Sequence, residues 1–234
     1  MELNSYIDHT NLKKDSVPED IEKLCEEAVK YHFASVCVYP YYVKAVADYL
    51  KGTNVEVCTV VGFPNGMNTT NTKVYEAIEA VDNGATEIDM VINIGALKAG
   101  EYDYVKNEIE EVRDSIGGKT LKVIIETCLL TDEEIIKMTE ICNDIFVNFI
   151  KTSTGFDKEG ATVHVVELIN KHKNEVLEIK ASGGIRDIKT CEALINAGAT
   201  RIGTSSGVKL MTVSDECDCD DACKCGKKCK CHEE

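Results

Sequence analysis

The chain has 234 residues, with 26 Lys and Arg against 41 Asp and Glu for a formal net charge of −15, and 44% of its residues are hydrophobic. That length and apolar fraction suffice for one sizeable core, while the acidic balance argues against nucleic acid or an anionic membrane as partner, because phosphate backbones are held by clustered Lys and Arg. No run approaches the ~20 consecutive apolar residues of a membrane span, and Met1-Glu-Leu-Asn-Ser-Tyr-Ile-Asp8 lacks the basic and apolar regions of a secretory signal, so the chain is read as soluble and cytoplasmic.

In chain order, eight apolar, β-branched runs predict strands over 6–12, 34–39, 55–62, 87–94, 121–127, 146–153, 177–182 and 201–205. Several, such as Val-Glu-Val-Cys-Thr-Val-Val over 55–61, are nearly continuously apolar, as expected of parallel strands buried on both faces. Amphipathic segments lie between them. Ser16-Val-Pro-Glu19 and Thr131-Asp-Glu-Glu134 read as capping boxes that open helices, the first with Pro18 in its first turn. Segments 101–114 and 187–197 carry the helical period, and Gly84 and Gly198 stand just past helix ends, where a left-handed residue is wanted. Eight strands, each followed by a helix within residues 1–211, predict a (β/α)8 TIM barrel of the α/β class. The competing doubly wound open sheet would bring a dinucleotide loop, and no G-x-G-x-x-G follows any strand.

Three decoys fall away. Gly118-Lys119-Thr120 resembles the end of a P-loop, but Arg113 stands where the first glycine is required. Asn68-Thr69-Thr70 is a glycosylation sequon without a secretory signal. The histidines show no metal-ligand spacing, and His9, on the first strand, is read as a hydrogen-bonded core residue.

Charges interrupt three of the apolar strands. The fourth begins Glu87-Ile-Asp89, the sixth contains Phe149-Ile-Lys151, and the seventh contains Lys180. An ionised group in such a run is costly to bury unpaired, so each either meets a partner in the barrel mouth or faces solvent. Two lysines at matching depth on neighbouring strands, with an aspartate, favour the first. A free lysine titrates near ~10.4. A second ammonium nearby and partial desolvation lower that value and release a nucleophilic amine, which attacks a carbonyl to form a Schiff base while a carboxylate moves protons. Lys151, Lys180 and Asp89 supply that set, at the strand ends where barrels place catalytic groups.

Phosphate recognition is the second signal. Gly155 lies in the loop after strand six, Gly183, Gly184 and Arg186 follow strand seven, and Gly203, Ser205 and Ser206 follow strand eight. Glycines let backbone N–H groups approach an anion, serine hydroxyls add donors, and the loops after strands seven and eight are the recurrent phosphate site of barrels.

With Ile7-Asp-His-Thr10, Val36-Cys-Val-Tyr-Pro40, Val61-Gly-Phe-Pro64, Glu87-Ile-Asp-Met-Val-Ile-Asn93, Phe149-Ile-Lys-Thr-Ser-Thr-Gly-Phe156, Lys180-Ala-Ser-Gly-Gly-Ile-Arg186 and Gly203-Thr-Ser-Ser206 in order, the sequence resembles the deoxyribose-phosphate aldolase family from Tyr6 to Met211. The resemblance implies a class I aldolase that reversibly cleaves 2-deoxy-D-ribose 5-phosphate to D-glyceraldehyde 3-phosphate and acetaldehyde without a cofactor. It implies that Lys151 is the Schiff-base lysine, that Lys180 lowers its pKa, that Asp89 is the proton donor and acceptor, and that Asp8 and Thr10 support the relay. Pro64-Asn-Gly-Met-Asn68 departs from the leucine-containing loop associated with the family. Cys37, near the end of strand two, either faces the mouth, where its thiolate would capture an enal iminium on Lys151, or is buried and inert, the preferred reading.

Twelve cysteines divide evenly between residues 1–211 and the last 23 residues. In the tail, 212–234, Cys217/Cys219, Cys223/Cys225 and Cys229/Cys231 form three C-x-C units with almost no apolar residue among them. Such spacing suits a shared-thiolate cluster of a soft metal, Zn²⁺ or Cu⁺, more than a zinc finger. A different phosphosugar aldolase or isomerase, and a metal-buffering protein acting through its tail, are the alternatives, and a homo-oligomer stays open.

Overall fold

The computed structural model describes residues 3–213. Its elements alternate along the chain as β1 (Ile7–Asn11), α1 (Pro18–Tyr31), β2 (Ser35–Val38), α2 (Val43–Tyr49), β3 (Glu56–Val61), α3 (Thr70–Asp82), β4 (Glu87–Val91), α4 (Ile94–Lys98), α5 (Tyr102–Ser115), β5 (Thr120–Ile124), α6 (Asp132–Asp144), β6 (Phe149–Lys151), α7 (Val163–His172), β7 (Glu178–Ser182), α8 (Ile188–Ala197), β8 (Arg201–Thr204) and α9 (Gly207–Val213). Every strand pairs in parallel with its sequence neighbours, and β1 closes on β8 through Asp8 opposite Gly203, giving the expected barrel. All eight predicted strands are present, seven of them trimmed at one or both ends and the fifth starting one residue early, at Thr120, and ending at Ile124.

Alternate residues along a strand face opposite sides of the sheet. One set, including Ile7, Val36, Ile88, Met90, Leu121, Val123, Ile150, Ile179 and Ile202, packs outward against the helices in the main apolar core. The other set faces the lumen. Barrel lumens are ordinarily filled by branched aliphatic side chains. Here the lumen holds a small apolar cluster of Cys37, Cys58 and Val60 with Leu12, and beside it a group of buried charges.

The helix ends follow the sequence with one exception. Thr131 caps α6 as a capping box, its hydroxyl accepting from Glu134 N–H while the Glu134 carboxylate accepts from Thr131 N–H at 2.8 Å. The box expected from Ser16 to Glu19 does not form. Val17 occupies the cap of α1, the Asp20 carboxylate accepts from its N–H at 3.1 Å, and the Ser16 hydroxyl donates instead to Asn11 at 2.9 Å. The β1–α1 loop therefore claims Ser16 before the helix can. Gly84 and Gly198 take φ of +106° and +123° just beyond α3 and at the end of α8, as predicted.

A buried ion pair outside the barrel fixes the end of β4. Lys73 of α3 and Glu108 of α5 meet at 2.8 Å with both side chains fully enclosed. The Lys73 ammonium also donates to Val91 O, and the Glu108 carboxylate accepts from Asn93 N–H. These bonds clamp the backbone just past Asp89. The departing loop at Pro64–Asn68 packs against the same place: a Cβ on Gly66 would lie 1.9 Å from Ile92 O, so only glycine fits there.

Candidate active site

The lumen charges form one network. Asp89 Oδ2 accepts from Lys151 Nζ at 2.8 Å and from Lys180 Nζ at 2.6 Å. Asp89 Oδ1 accepts from Lys122 Nζ at 2.9 Å and from the Cys58 thiol at 3.2 Å. Lys180 also meets Asp8 Oδ2 at 2.5 Å, and Lys122 meets Glu87 at 2.6 Å. Below them Arg201 bridges Asp8 at 2.7 Å and Glu87 at 3.2 Å, with its guanidinium over the Phe149 ring. Asp89 on β4 touches Lys180 on β7, a contact that only the lumen allows. The parallel register sets the depth, with Lys151 opposite Lys180 and Asp89 opposite Lys122.

Asp8, Asp89, Lys122, Lys151 and Lys180 are all buried. Burial alone would neutralise each of them. For the two aspartates it is overridden: Lys180, Lys122 and Arg201 hold Asp8 well below the carboxylate range, and Lys122, Lys151 and Lys180 do the same for Asp89. Conversely, Asp89 holds Lys122, and Asp8 and Asp89 hold Lys180, above the ordinary lysine range despite burial. Asp8, Glu87 and Asp89 are then matched by Lys122, Lys180 and Arg201.

Two neighbouring groups resolve as expected from the sequence. Cys37 is fully buried opposite Cys58 and packs with Leu12, Tyr39 and Phe63. His9 is a core residue whose Nε2 lies 2.8 Å from Glu27, and burial lowers its pKa despite that carboxylate. Thr10 shares the lumen face with Asp8 but stands outside the charge network, its hydroxyl donating to Asp8 O at 2.9 Å.

Above Lys151 opens a cavity of about 1210 Å³. Gly155, Gly183, Gly184, Arg186, Gly203, Ser205 and Ser206 all line it, so the candidate anion loops converge at one place. Gly155, Gly183 and Gly184 take φ of +83°, +85° and +77°. The loops interlock: a Cβ on Gly183 would stand 2.9 Å from Gly160 Cα and 3.3 Å from Gly155 Cα. The Ser206 N–H is already engaged by Thr204 Oγ1 at 2.9 Å, which leaves its hydroxyl as the donor for an anion. Lys13, Lys23 and Lys209 add positive charge at the rim.

Two donor sets in the lumen, Cys37–Cys58–Asp89 and Asp8–Cys58–Glu87, bring their ligand atoms within 4.8 Å of one another. Both share carboxylate oxygens with the lysine network, and a cation there would have to displace Lys122. The residues fit ammonium groups better than a metal. The tail cysteines Cys217, Cys219, Cys223, Cys225, Cys229 and Cys231 lie outside the described residues.

The sequence profile of the DeoC/LacD family aldolases matches residues 3–211. The chain belongs to this aldolase family. It is 53% identical over 215 residues to the deoxyribose-phosphate aldolase of Clostridium tetani, covering 92% of this chain and 100% of the relative. It is 55% identical over 214 residues to the enzyme of that name from Caldanaerobacter subterraneus subsp. tengcongensis, covering 90% and 93%. Among solved structures, the tetrameric deoxyribose phosphate aldolase of Aeropyrum pernix superposes with a TM-score of 0.85 at 30% identity, over 91% of each chain.

Four residues of this aldolase that touch the network or its loops were missed in the sequence: Lys122, Arg201, Glu126 and Cys58. Lys122 and Arg201 lie at or near the start of their strands, where a charge reads as an ordinary edge residue until the barrel register brings it into the lumen. Lys122→Met removes a cation from Asp8, Glu87 and Asp89 together. Asp8 and Asp89 titrate below the unfolded carboxylate value of ~3.9, so they contribute stability above it and lose that contribution as pH falls through their depressed values. Without Lys122 those values rise. The variant should lose about 3–5 kcal/mol at neutral pH, and its acid unfolding, followed by circular dichroism, should move up by roughly one pH unit. An unchanged acid midpoint would show that Lys122 does not hold the carboxylates.

Proposed function

We propose that the chain reversibly cleaves 2-deoxy-D-ribose 5-phosphate to D-glyceraldehyde 3-phosphate and acetaldehyde through a Schiff base on Lys151. The observation that carries this reading is the sharing of one buried oxygen, Asp89 Oδ2, by the ammonium ends of Lys151 and Lys180, beneath a cavity lined by the glycine loops. Membership of the DeoC/LacD family supports it.

The open-chain sugar enters with its phosphate at Gly155, Gly183, Gly184, Arg186, Gly203, Ser205 and Ser206, where backbone N–H groups, hydroxyls and one guanidinium hold the anion locally in a protein of net negative charge. Its aldehyde carbon then reaches Lys151 Nζ. Attack gives a carbinolamine, and loss of water gives an iminium ion. The iminium withdraws electrons as the C2–C3 bond breaks and the C3 hydroxyl loses its proton, releasing glyceraldehyde 3-phosphate. The acetaldehyde carbons stay on Lys151 as an enamine, which is protonated at carbon and hydrolysed. The iminium is the electron sink, so no metal or organic cofactor is required.

Protons move at Asp89. A proton leaving Lys151 has a carboxylate oxygen at 2.8 Å, and Lys180 stands on that oxygen as the replacement donor. Asp8 holds Lys180 from the other side, and Thr10 faces the sugar hydroxyls from the lumen side of β1.

Beyond the barrel, the C-x-C tail is proposed as a soft-metal appendage that catalysis does not require. The full chain should bind several equivalents of Zn²⁺ or Cu⁺ beyond those bound by a chain ending at Met211, with both equally active. Equal metal binding would remove the tail from any metal role.

Lys180→Leu is the sharper test of the site. Asp89 loses one of its three ammonium partners, and its Oδ2 keeps Lys151 alone while Oδ1 keeps Lys122. Turnover should fall by about 10²–10⁴-fold, and the remaining pH–rate profile should move to higher pH, followed by coupled detection of glyceraldehyde 3-phosphate. Turnover within threefold of the parent enzyme would contradict the relay.

A further inference from the structure

Glu126 follows β5 in an unusual state. Its backbone lies in the left-handed region, φ +51° and ψ +66°, although it is not glycine. For a residue with a Cβ that conformation costs about 1–3 kcal/mol and persists only where surrounding bonds impose it. The surrounding bonds are visible. On either side of Glu126 the pairing with the β6 segment continues, from Ile125 N–H to Lys151 O at 3.1 Å and from Thr127 N–H to Thr152 O at 2.9 Å. The left-handed step between them turns the Glu126 side chain onto the loop after Lys151.

There the carboxylate is buried, with 3% of the residue exposed. It accepts from Thr154 N–H at 3.3 Å and, through a short bond, from the Thr154 hydroxyl. The same hydroxyl oxygen accepts from Phe156 N–H at 3.1 Å. One carboxylate thereby fixes both sides of Gly155. Gly155 in turn lies against Gly183, whose Cβ would meet it at 3.3 Å. Phe156 stacks edge-on against Phe63, with ring centres 5.2 Å apart. Burial raises the Glu126 pKa, and the Thr154 bonds oppose that rise, which is the balance of a carboxylate held for its hydrogen bonds rather than for charge exposed to water.

We propose that Glu126 is the positioning residue that sets the phosphate cradle, by pinning Thr154 and so placing Gly155 against Gly183. The proposal rests on the reading of these loops as the phosphate site. Glu126 touches neither Lys151 Nζ nor the cavity floor through any hydrogen bond among the described residues; its action passes through Thr154. Its contribution should therefore fall on the phosphorylated end of the substrate. A merely structural role would weaken the enzyme toward every substrate alike.

The measurement is the ratio of kcat/KM for 2-deoxyribose 5-phosphate to kcat/KM for 2-deoxyribose. Glu126→Gly is the variant of choice, because glycine adopts φ +51° without strain and the fold keeps its loop. In it the ratio should fall by about 10- to 100-fold, the loss expected when a bound group is displaced by roughly an ångström, and it should appear chiefly as a raised KM for the phosphorylated sugar. Glu126→Gln keeps an acceptor for Thr154 N–H and should recover part of the ratio. Thr154→Val removes the shared hydroxyl, and combined with Glu126→Gly it should add little further loss. A ratio unchanged in Glu126→Gly, or losses equal on both sugars, would overturn the proposal. An enzyme with native Glu126 that does not distinguish the two sugars would instead overturn the phosphate-site reading itself.

Discussion

The barrel is built around ion pairs that have no water to replace them. Three carboxylates and four cations occupy a lumen that branched aliphatic residues fill in most barrels, and every member is buried except Arg201, which is partly so. Such a group is tolerable only when complete, since a partly satisfied buried network costs more than an apolar one. Completeness here depends on Lys122 and Arg201, which bring Asp8, Glu87 and Asp89 into balance from beneath. Lys151 stands at the top of the network as the surplus cation.

The proposed phosphate site is separated from this electrostatic layer. The proposed site rests on backbone geometry above the strand ends, where Gly155, Gly160 and Gly183 approach so closely that no Cβ fits between Gly160 and Gly183. Ser182 knits the two loops together, its hydroxyl donating to Ser153 O at 2.6 Å and its N–H donating to Thr152 Oγ1 at 3.2 Å. A protein with a net charge of −15 can hold an anion in this way, because the donors are local and aimed. The two layers meet on β6, where Lys151 is followed directly by the loop that Glu126 pins.

The strands, their order and the principal charged residues were legible in the sequence because period and polarity are local properties. Lys151, Lys180 and Asp89 each broke an apolar run. Lys122 broke one too, at the start of the fifth run, but reads as an ordinary strand-edge charge until register places it opposite Asp89. Glu126 was hidden for a different reason. Its side chain would point away from Thr154 in an extended strand, and only the left-handed backbone redirects it, which no pattern of residue types announces. Ser16 misled because its hydroxyl had a second suitor in Asn11, a competition settled by loop packing and not by helix propensity.

The central claim is that Lys151 carries the covalent intermediate. Acetaldehyde and borohydride added to the full chain, followed by peptide mass mapping, test it most directly. The account predicts one N-ethyl group per chain, on Lys151, and no trapping in Lys151→Ala. Stoichiometric trapping on Lys180 or Lys122, or trapping that persists in Lys151→Ala, would contradict it.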